Sequence, residues 1–151
     1  MADLRAFFTQ ADREEILIAI REAEARTSGE IRVRVEATTD KDPMVTARRV
    51  FEALGMRETE LHNGVLFLIA VEDRRFVILG DDGIDRKVPA DFWDGVRDVV
   101  LDHFRQQRFA AGLAAGIRLA GEQLATYFPR QDDDINELPD AISFADDELR
   151  G

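Results

Sequence analysis

The fold is decided by residues 63–85, which read NGVLFLIAVEDRRFVILGDDGID. Seven consecutive apolar residues, 65–71, are typical of a central strand that helices cover on both faces. The three polar residues 72–74 are too few for a crossover helix, so residues 75–80 should return antiparallel as a hairpin strand. Three aspartates then follow within residues 81–85.

A second strand precedes this hairpin, over residues 28–36. Its side chains alternate between apolar and charged, with Ile31, Val33 and Val35 on one side and Arg32, Arg34 and Glu36 on the other. The alternation predicts one buried face and one wetter face, as near a sheet edge. Asp42 and Pro43 open a helix that Gly55 closes. A helix between two strands indicates a right-handed parallel crossover.

Helices should flank this sheet on both sides. Thr9 and Asp12 fit a capping box for a first helix that ends near Gly29, in a left-handed conformation. A third helix should begin at Pro89, and a fourth should cover about residues 109–127. In the fourth, Gly112 and Gly116 favour close packing of the helix on the sheet.

The predicted fold class is therefore α/β, a three-layer αβα sandwich with a small mixed sheet that combines a parallel crossover and an antiparallel hairpin. We assign residues 1–129 to the domain and residues 130–151 to an acidic tail. Residues 131–151 contain eight acidic side chains against Arg150, which is −7 of the formal net charge of −11. Such a charge argues against a nucleic-acid partner and favours cations or a basic protein surface.

Cysteine is absent, which excludes disulfides, thiol nucleophiles and thiolate metal sites. The N-terminal residues lack the apolar core of a signal peptide. The longest apolar run is far shorter than the roughly 20 residues that span a bilayer. We therefore expect a cytoplasmic protein without a membrane partner.

The predicted topology brings three segments to one end of the sheet: the starts of the first two strands and the end of the third. They carry oxygen ligands of the kind that calcium and magnesium prefer. The candidate metal ligands are Glu30, Asn63, Asp81, Asp82 and Asp85. Only His62 and His103 could add nitrogen ligands, which makes zinc improbable. Alternatively, the aspartates serve only as turn residues.

The tail offers a weaker cation site. Asp132, Asp134 and Asn136 match positions one, three and five of an EF-hand loop, but Glu137 and Ser143 stand where the motif requires glycine and glutamate. The alternative is a solvated acidic extension, part of which docks on the domain through apolar side chains. Those side chains are Ile135, Leu138, Ile142 and Phe144.

These segments resemble the TPM domain family, named for thylakoid-lumen and photosystem II repair proteins and an acetylcholine-receptor accessory protein. The resemblance covers about residues 21–127. Within the family, the sequence is similar to a small, stand-alone bacterial subgroup. It is carried by the strand opening at residues 63–66, the basic hairpin strand that ends at Gly80, and the helix opening at residues 109–113.

The resemblance implies an α/β sandwich. It also implies calcium or other divalent-ion binding, as in some relatives, and an acid phosphatase activity, as attributed to plant members. Family members commonly carry an acid shortly after the third strand, a position that Asp85 matches here. Relatives usually have an export signal and often a membrane anchor, and neither pattern is found in these residues.

Three functions follow as hypotheses. The first is a non-enzymatic module that binds calcium or magnesium and has an assembly or stress role. The second is a metal-assisted acid phosphatase, and the third is a protein-interaction domain that acts through its acidic tail. Serine-hydrolase, zinc-protease and nucleotide-binding motifs are absent from the sequence.

Overall fold

Four strands form one mixed sheet in the computed structural model, which describes residues 3–130 and 141–146. The strands are β1 (Glu30–Glu36), β2 (Gly64–Ala70), β3 (Arg75–Gly80) and β4 (Ile142–Phe144), in the spatial order β3-β2-β1-β4. The α-helices are α1 (Gln10–Glu24), α2 (Pro43–Ala53), α3 (Asp82–Asp85), α4 (Asp94–Arg105) and α5 (Phe109–Tyr127). Two short 3₁₀ turns cover Leu4–Phe7 and Met56–Glu58.

The strand directions follow the prediction from the sequence. β1 and β2 run parallel, with Glu30 opposite Gly64. β2 and β3 run antiparallel, with Val65 opposite Gly80. Every residue of β2 is buried, as its unbroken apolar sequence predicts for a central strand.

The helices cover both faces of the sheet, which confirms the predicted α/β sandwich. On one face, α1, α4 and α5 form the larger core with the sheet residues Ile31, Val33, Val35, Val65 and Phe67. On the other face, α2 packs Ala47, Val50 and Phe51 against Leu66 and Leu68. Among the described helices, none is long and apolar enough to cross a bilayer.

Local signals set several helix ends. Thr9 and Asp12 form the predicted capping box, in which each side chain accepts from the other residue's backbone N–H. The Asp42 side chain accepts from the backbone N–H of Met44 at the start of α2. Gly55 takes a left-handed φ of 69° after α2, as its position predicts.

The prediction that β1 has one wetter face is wrong, because all seven β1 residues are buried. Its predicted place near a sheet edge agrees with the strand order, since only the three-residue strand β4 lies outside it and pairs in parallel with Val33, Arg34 and Val35. Arg34 Nε lies 2.5 Å from Glu36 Oε2, so these two buried charges neutralise each other. The Arg34 guanidinium also donates to Ser143 Oγ on β4 at 3.4 Å.

Helix boundaries differ from the prediction in three places. α1 ends at Glu24, and Gly29 has no positive φ; it lies instead where an added Cβ would be 3.3 Å from the carbonyl oxygen of Asn63. α4 begins at Asp94 rather than at Pro89, after a series of turns. Helix α3 was not predicted, because a single four-residue turn leaves no apolar periodicity to detect.

The close packing of α5 is chiefly between helices. A Cβ at Gly116 would clash with the Val100 side chain of α4, whereas Phe67 of the sheet would lie at ordinary contact distance. Small residues therefore let α5 approach α4 more closely than they let it approach the sheet.

Part of the tail docks on the domain. Ile142 pairs with Val33, and Phe144, 3% exposed, belongs to the core on the α1 and α5 side. The EF-hand-like residues Asp132, Asp134 and Asn136 lie outside the described residues, as do Ile135 and Leu138. The domain boundary at residue 129 stays a prediction.

Candidate functional site

Three chain segments meet at the end of the sheet where β1 and β2 begin and β3 ends. The backbone N–H of Asp81 donates to the carbonyl of Gly64 at 3.0 Å, and the N–H of Glu30 donates to the carbonyl of Asn63 at 3.4 Å. These two bonds continue the β2–β3 pairing to Asp81, one residue past β3, and the β1–β2 pairing to Asn63, one residue before β2. The convergence predicted from strand direction is therefore observed.

The acidic loop, residues 81–85, forms a single helical turn at this end. Asp81 is its N-cap, and Oδ1 of Asp81 accepts from the backbone N–H of Asp82 at 2.8 Å. A Cβ at Gly83 would clash with the backbone carbonyl oxygens of Leu61 and His62. Glycine is required there because the segment before β2 lies directly against the turn.

Arg57, in the 3₁₀ turn after α2, is the cation that faces the acidic loop. Its Nη1 lies 3.2 Å from Oδ1 of Asp81 and 3.6 Å from Oδ2 of Asp82. Its Nε pairs with Glu52, and its guanidinium carbon lies 5.5 Å from the ring centroid of Phe51. The hydrogen bond to Glu52 is the main cause of a raised pKa at Arg57, with smaller contributions from Asp81 and Asp82.

The Asp81 carboxylate is completely buried, with a side-chain exposure of 0%. Its Oδ1 is hydrogen-bonded as described, but its Oδ2 is buried and has no hydrogen-bond donor. His62 Nδ1 lies 3.6 Å from this oxygen, beyond hydrogen-bond distance. His62 also has a left-handed φ of 51°, which is uncommon for a residue with a side chain.

Asp85 ends the acidic loop, and the residue as a whole is exposed. Partial desolvation of its carboxyl by the surrounding protein raises the pKa of Asp85, and the charges of Asp82 and Asp81 raise it further. The three carboxylates therefore share one region of negative potential, which Arg57 neutralises in part.

The other two predicted ligands belong to the starts of β1 and β2 rather than to the acidic loop. The Asn63 side-chain amide donates to Ser28 Oγ at 3.2 Å. Glu30 is 4% exposed and begins β1, which is separated from β3 by β2, or by about 10 Å across two strand spacings. Within residues 3–130 and 141–146, no group of three or more His, Cys, Asp or Glu side chains is arranged to hold a metal ion.

Sequence reasoning missed two residues of this site. Arg57 lies in a short polar turn without a recognisable motif, and only the packing of that turn beside β2 brings it to Asp81. Trp93, the one tryptophan of the chain, packs at Gly80, where an added Cβ would lie 3.1 Å from the indole ring. Its position places an intrinsic fluorophore beside the acidic loop.

Comparison with known proteins identifies the family. The sequence model described as the TPM domain matches residues 1–123. The chain is similar to the BA42 protein of the psychrophilic bacterium Bizionia argentinensis, solved by NMR, with 48% sequence identity and a TM-score of 0.88 over 96% of this chain and 100% of that chain. Among curated proteins nothing matches.

Two further solved structures share the fold. The N-terminal domain of the cg2496 protein of Corynebacterium glutamicum is 16% identical, with a TM-score of 0.61 over 89% of this chain and 79% of that chain. The N-terminal domain of a protein from P. gingivalis is 19% identical, with a TM-score of 0.59 over 81% and 79%. The family match and the 48% identical structure together show that the chain belongs to the TPM domain family.

Proposed function

We propose that this TPM domain is a non-enzymatic module that binds a divalent cation, calcium or magnesium, at the acidic loop. Asp81, Asp82 and Asp85 supply the carboxylates, which have to move closer together once the ion displaces Arg57, since the described side chains do not form a ready-made ion site. The observation that carries the proposal is the buried Oδ2 of Asp81, which has no hydrogen-bond donor. A buried charged oxygen without a donor is costly, and a cation bound to it removes that cost.

The chemistry of the neighbouring groups supports a hard cation. Burial is the main cause of the raised pKa of Asp85, and the neighbouring charges of Asp82 and Asp81 add to it; a divalent ion would offset that added repulsion. Backbone carbonyl oxygens of Leu61 and His62 lie against the same turn. Calcium accepts such mixed shells of carboxylates, carbonyls and water.

Arg57 acts in this proposal as an internal substitute for the ion. Its guanidinium contacts Asp81 and Asp82, so the ion must displace it. Displacement leaves Arg57 with two other partners, the Glu52 carboxylate and the Phe51 ring. Competition with a resident guanidinium makes the affinity for the ion modest. The ligand roles of Glu30 and Asn63 stay predictions.

The test is a calcium and magnesium titration of the full chain, followed by amide NMR shifts and Trp93 fluorescence. The largest shifts should fall on residues 81–85 and on Arg57. Bound ion should also raise the free energy of unfolding, by about 1.4 kcal/mol at ten times the dissociation constant. Shifts that are absent at millimolar ion, or that fall elsewhere, would overturn the proposal.

Variants sharpen this test. Asp81→Asn and the exposed Asp85→Asn should each weaken ion binding, and the second keeps the Asp81–Arg57 pair intact. Asp102→Asn is the matched control, because Asp102 forms an exposed ion pair with Arg105 near the far end of α4. Equal loss of affinity in all three variants would indicate a general charge effect and contradict a site at the acidic loop.

A further inference from the structure

A second site candidate lies at the opposite end of the sheet from the acidic loop. A pocket of about 560 Å³ opens beside the turn between β2 and β3 and the end of α4. This volume falls within the range typical of small-molecule sites. We call it the hairpin pocket; its principal lining residues are Phe7, Arg74, Arg75, Phe104, Arg105 and Phe109.

Phenylalanine rings form the apolar wall of the hairpin pocket. The Phe109 ring centroid lies 5.3 Å from that of Phe7 and 5.2 Å from that of Phe104. All three rings are half-buried, so part of each remains available for contact. Partly exposed aromatic rings that meet in a concavity are the usual apolar surface of a ligand site.

The charge of the hairpin pocket is opposite to that of the chain. Three arginines line it and no acidic residue does, in a chain with 31 acidic and 20 basic residues. Arg75 donates to the carbonyl of Lys41 at 2.8 Å, and Arg105 pairs with Asp102 at 3.0 Å. Among the described residues, the Arg74 side chain has no partner.

Backbone strain is also concentrated at this pocket. Arg74 has φ 55° and Gln107 has φ 60°, both in the left-handed region where glycine is the least strained residue. Both residues line the pocket. A residue with a side chain is strained in such a conformation, and such outliers are found more often at ligand sites.

We propose that the hairpin pocket binds a small amphipathic organic anion, a carboxylate that carries an aliphatic chain. The chain packs on the phenylalanine rings, and the carboxylate meets Arg74 and Arg105. This site is separate from the acidic loop and does not depend on a bound cation.

The test is a titration of the full chain with decanoate below its micelle-forming concentration, in the presence of EDTA. Amide NMR shifts should fall on residues 70–75 and 104–109. Decanol and decyltrimethylammonium have the same chain without the negative charge, so they should bind at least about tenfold more weakly. Added salt should reduce this difference, because it screens the exposed arginines.

Two variants and one control locate the anion. Arg74→Gly removes the positive charge, so it should weaken decanoate binding roughly threefold. It should not lower the melting temperature, because glycine adopts the positive φ of this position without strain. Arg105→Gln should also weaken it roughly threefold. Arg97→Gln is the control, because Arg97 forms the equivalent exposed pair, with Asp94, at the other end of α4.

Equal affinity for the three probes would overturn the proposal, since it would indicate apolar contact without recognition of charge. Shifts outside the hairpin pocket would overturn it as well, as would equal effects of Arg97→Gln and Arg105→Gln. Because EDTA is present throughout, a failure of cation binding at the acidic loop does not affect the result.

Discussion

Arg57 Nη1 lies 3.2 Å from Oδ1 of Asp81, and the Asp81 side chain is completely buried whereas that of Arg57 is 41% exposed. The pair therefore joins a fixed anion to a cation that reaches it from the surface. The Arg57 side chain can move away into water, whereas the buried Asp81 carboxylate cannot. Because of this difference in exposure, replacing Arg57 distinguishes its contribution to stability from its competition with a bound cation.

Arg57→Gln should lower stability and raise cation affinity together. Loss of the guanidinium leaves the buried Asp81 charge uncompensated, at a cost of about 2 kcal/mol. The same loss removes the competitor of the ion, so calcium should bind about tenfold more tightly, which corresponds to about 1.4 kcal/mol. Chemical denaturation with and without calcium measures both effects, and weaker calcium binding in the variant would contradict the competition.

The same substitution tests the phosphatase alternative. A phosphoryl group at this site would bind the Arg57 guanidinium, which suits phosphate oxygens. Arg57→Gln should then abolish hydrolysis of a phosphomonoester, whereas a cation-binding module should show no hydrolysis in either protein. Metal-dependent hydrolysis that Arg57→Gln removes would favour the phosphatase over the non-enzymatic module.

Asp85→Asn should stabilise the chain at pH 7 in EDTA. The pKa of Asp85 is raised above its ordinary 3.8, so the folded state binds the proton more tightly than the unfolded state does. The charged carboxylate therefore destabilises the fold above that pKa, and the penalty disappears as pH falls through it. The gain at pH 7 should be about 0.5 kcal/mol or less, because the side chain is exposed.

The pH series supplies the check on Asp85. Melting temperatures of the variant and the unsubstituted chain should differ at pH 7 and converge toward pH 4. Asp98→Asn, an exposed change on α4, controls for net charge. A lower melting temperature for Asp85→Asn at pH 7 would show that the carboxylate is stabilising and contradict a raised pKa at Asp85.

Gly83→Ala should destabilise the chain by about 1–3 kcal/mol, because the added Cβ meets the carbonyl oxygens of Leu61 and His62. Gly95→Ala is the matched control on α4, where an added Cβ meets nothing within 4 Å. That control should stabilise the helix by up to about 1 kcal/mol. Urea denaturation separates the two outcomes, and similar effects of both substitutions would argue against close packing at Gly83.

Phe144→Ala should cost about 3 kcal/mol, since it removes a buried ring from the core that β4 reaches. Ile142 is only half-buried, so Ile142→Ala should cost clearly less. The comparison by thermal unfolding tests whether β4 is an integral strand. A Phe144→Ala protein as stable as the original would show that β4 contributes little.

The core strands could be predicted because their signals are local. The apolar run of β2 and the short turn before β3 fix the strand directions, and the directions bring Asp81 to Gly64. The wetter face predicted for β1 failed because its charged side chains are buried in ion pairs, Arg32 with Glu24 and Arg34 with Glu36. The sequence indicates Ile142 and Phe144 as docking side chains, but not that they form a strand paired with β1. No local pattern on β1 indicates that a distant strand will cover it.

The candidate site could be predicted only in part, because some of its contacts join segments that are distant in the sequence. Asp81 and Asp82 follow a recognisable strand, so topology alone places them together. Arg57 reaches them from another element, and whether Asp81 loses its contact with water depends on packing. The spacing of residues in the sequence predicts neither the position of Arg57 nor the burial of Asp81. Similarly, the arginines of the hairpin pocket are unremarkable until Phe7 and α4 are brought beside them.

The pairing of β4 with β1 has a consequence for synthesis of the chain. β4 is the last of the described strands to leave the ribosome, yet it occupies the side of β1, the first. Until it emerges, a nascent chain that has already folded through α5 presents an open row of backbone donors and acceptors along β1. Such an edge can pair with other chains. Pairing with β4 thus covers this edge of β1 at Val33, Arg34 and Val35 and lowers the risk of aggregation through it.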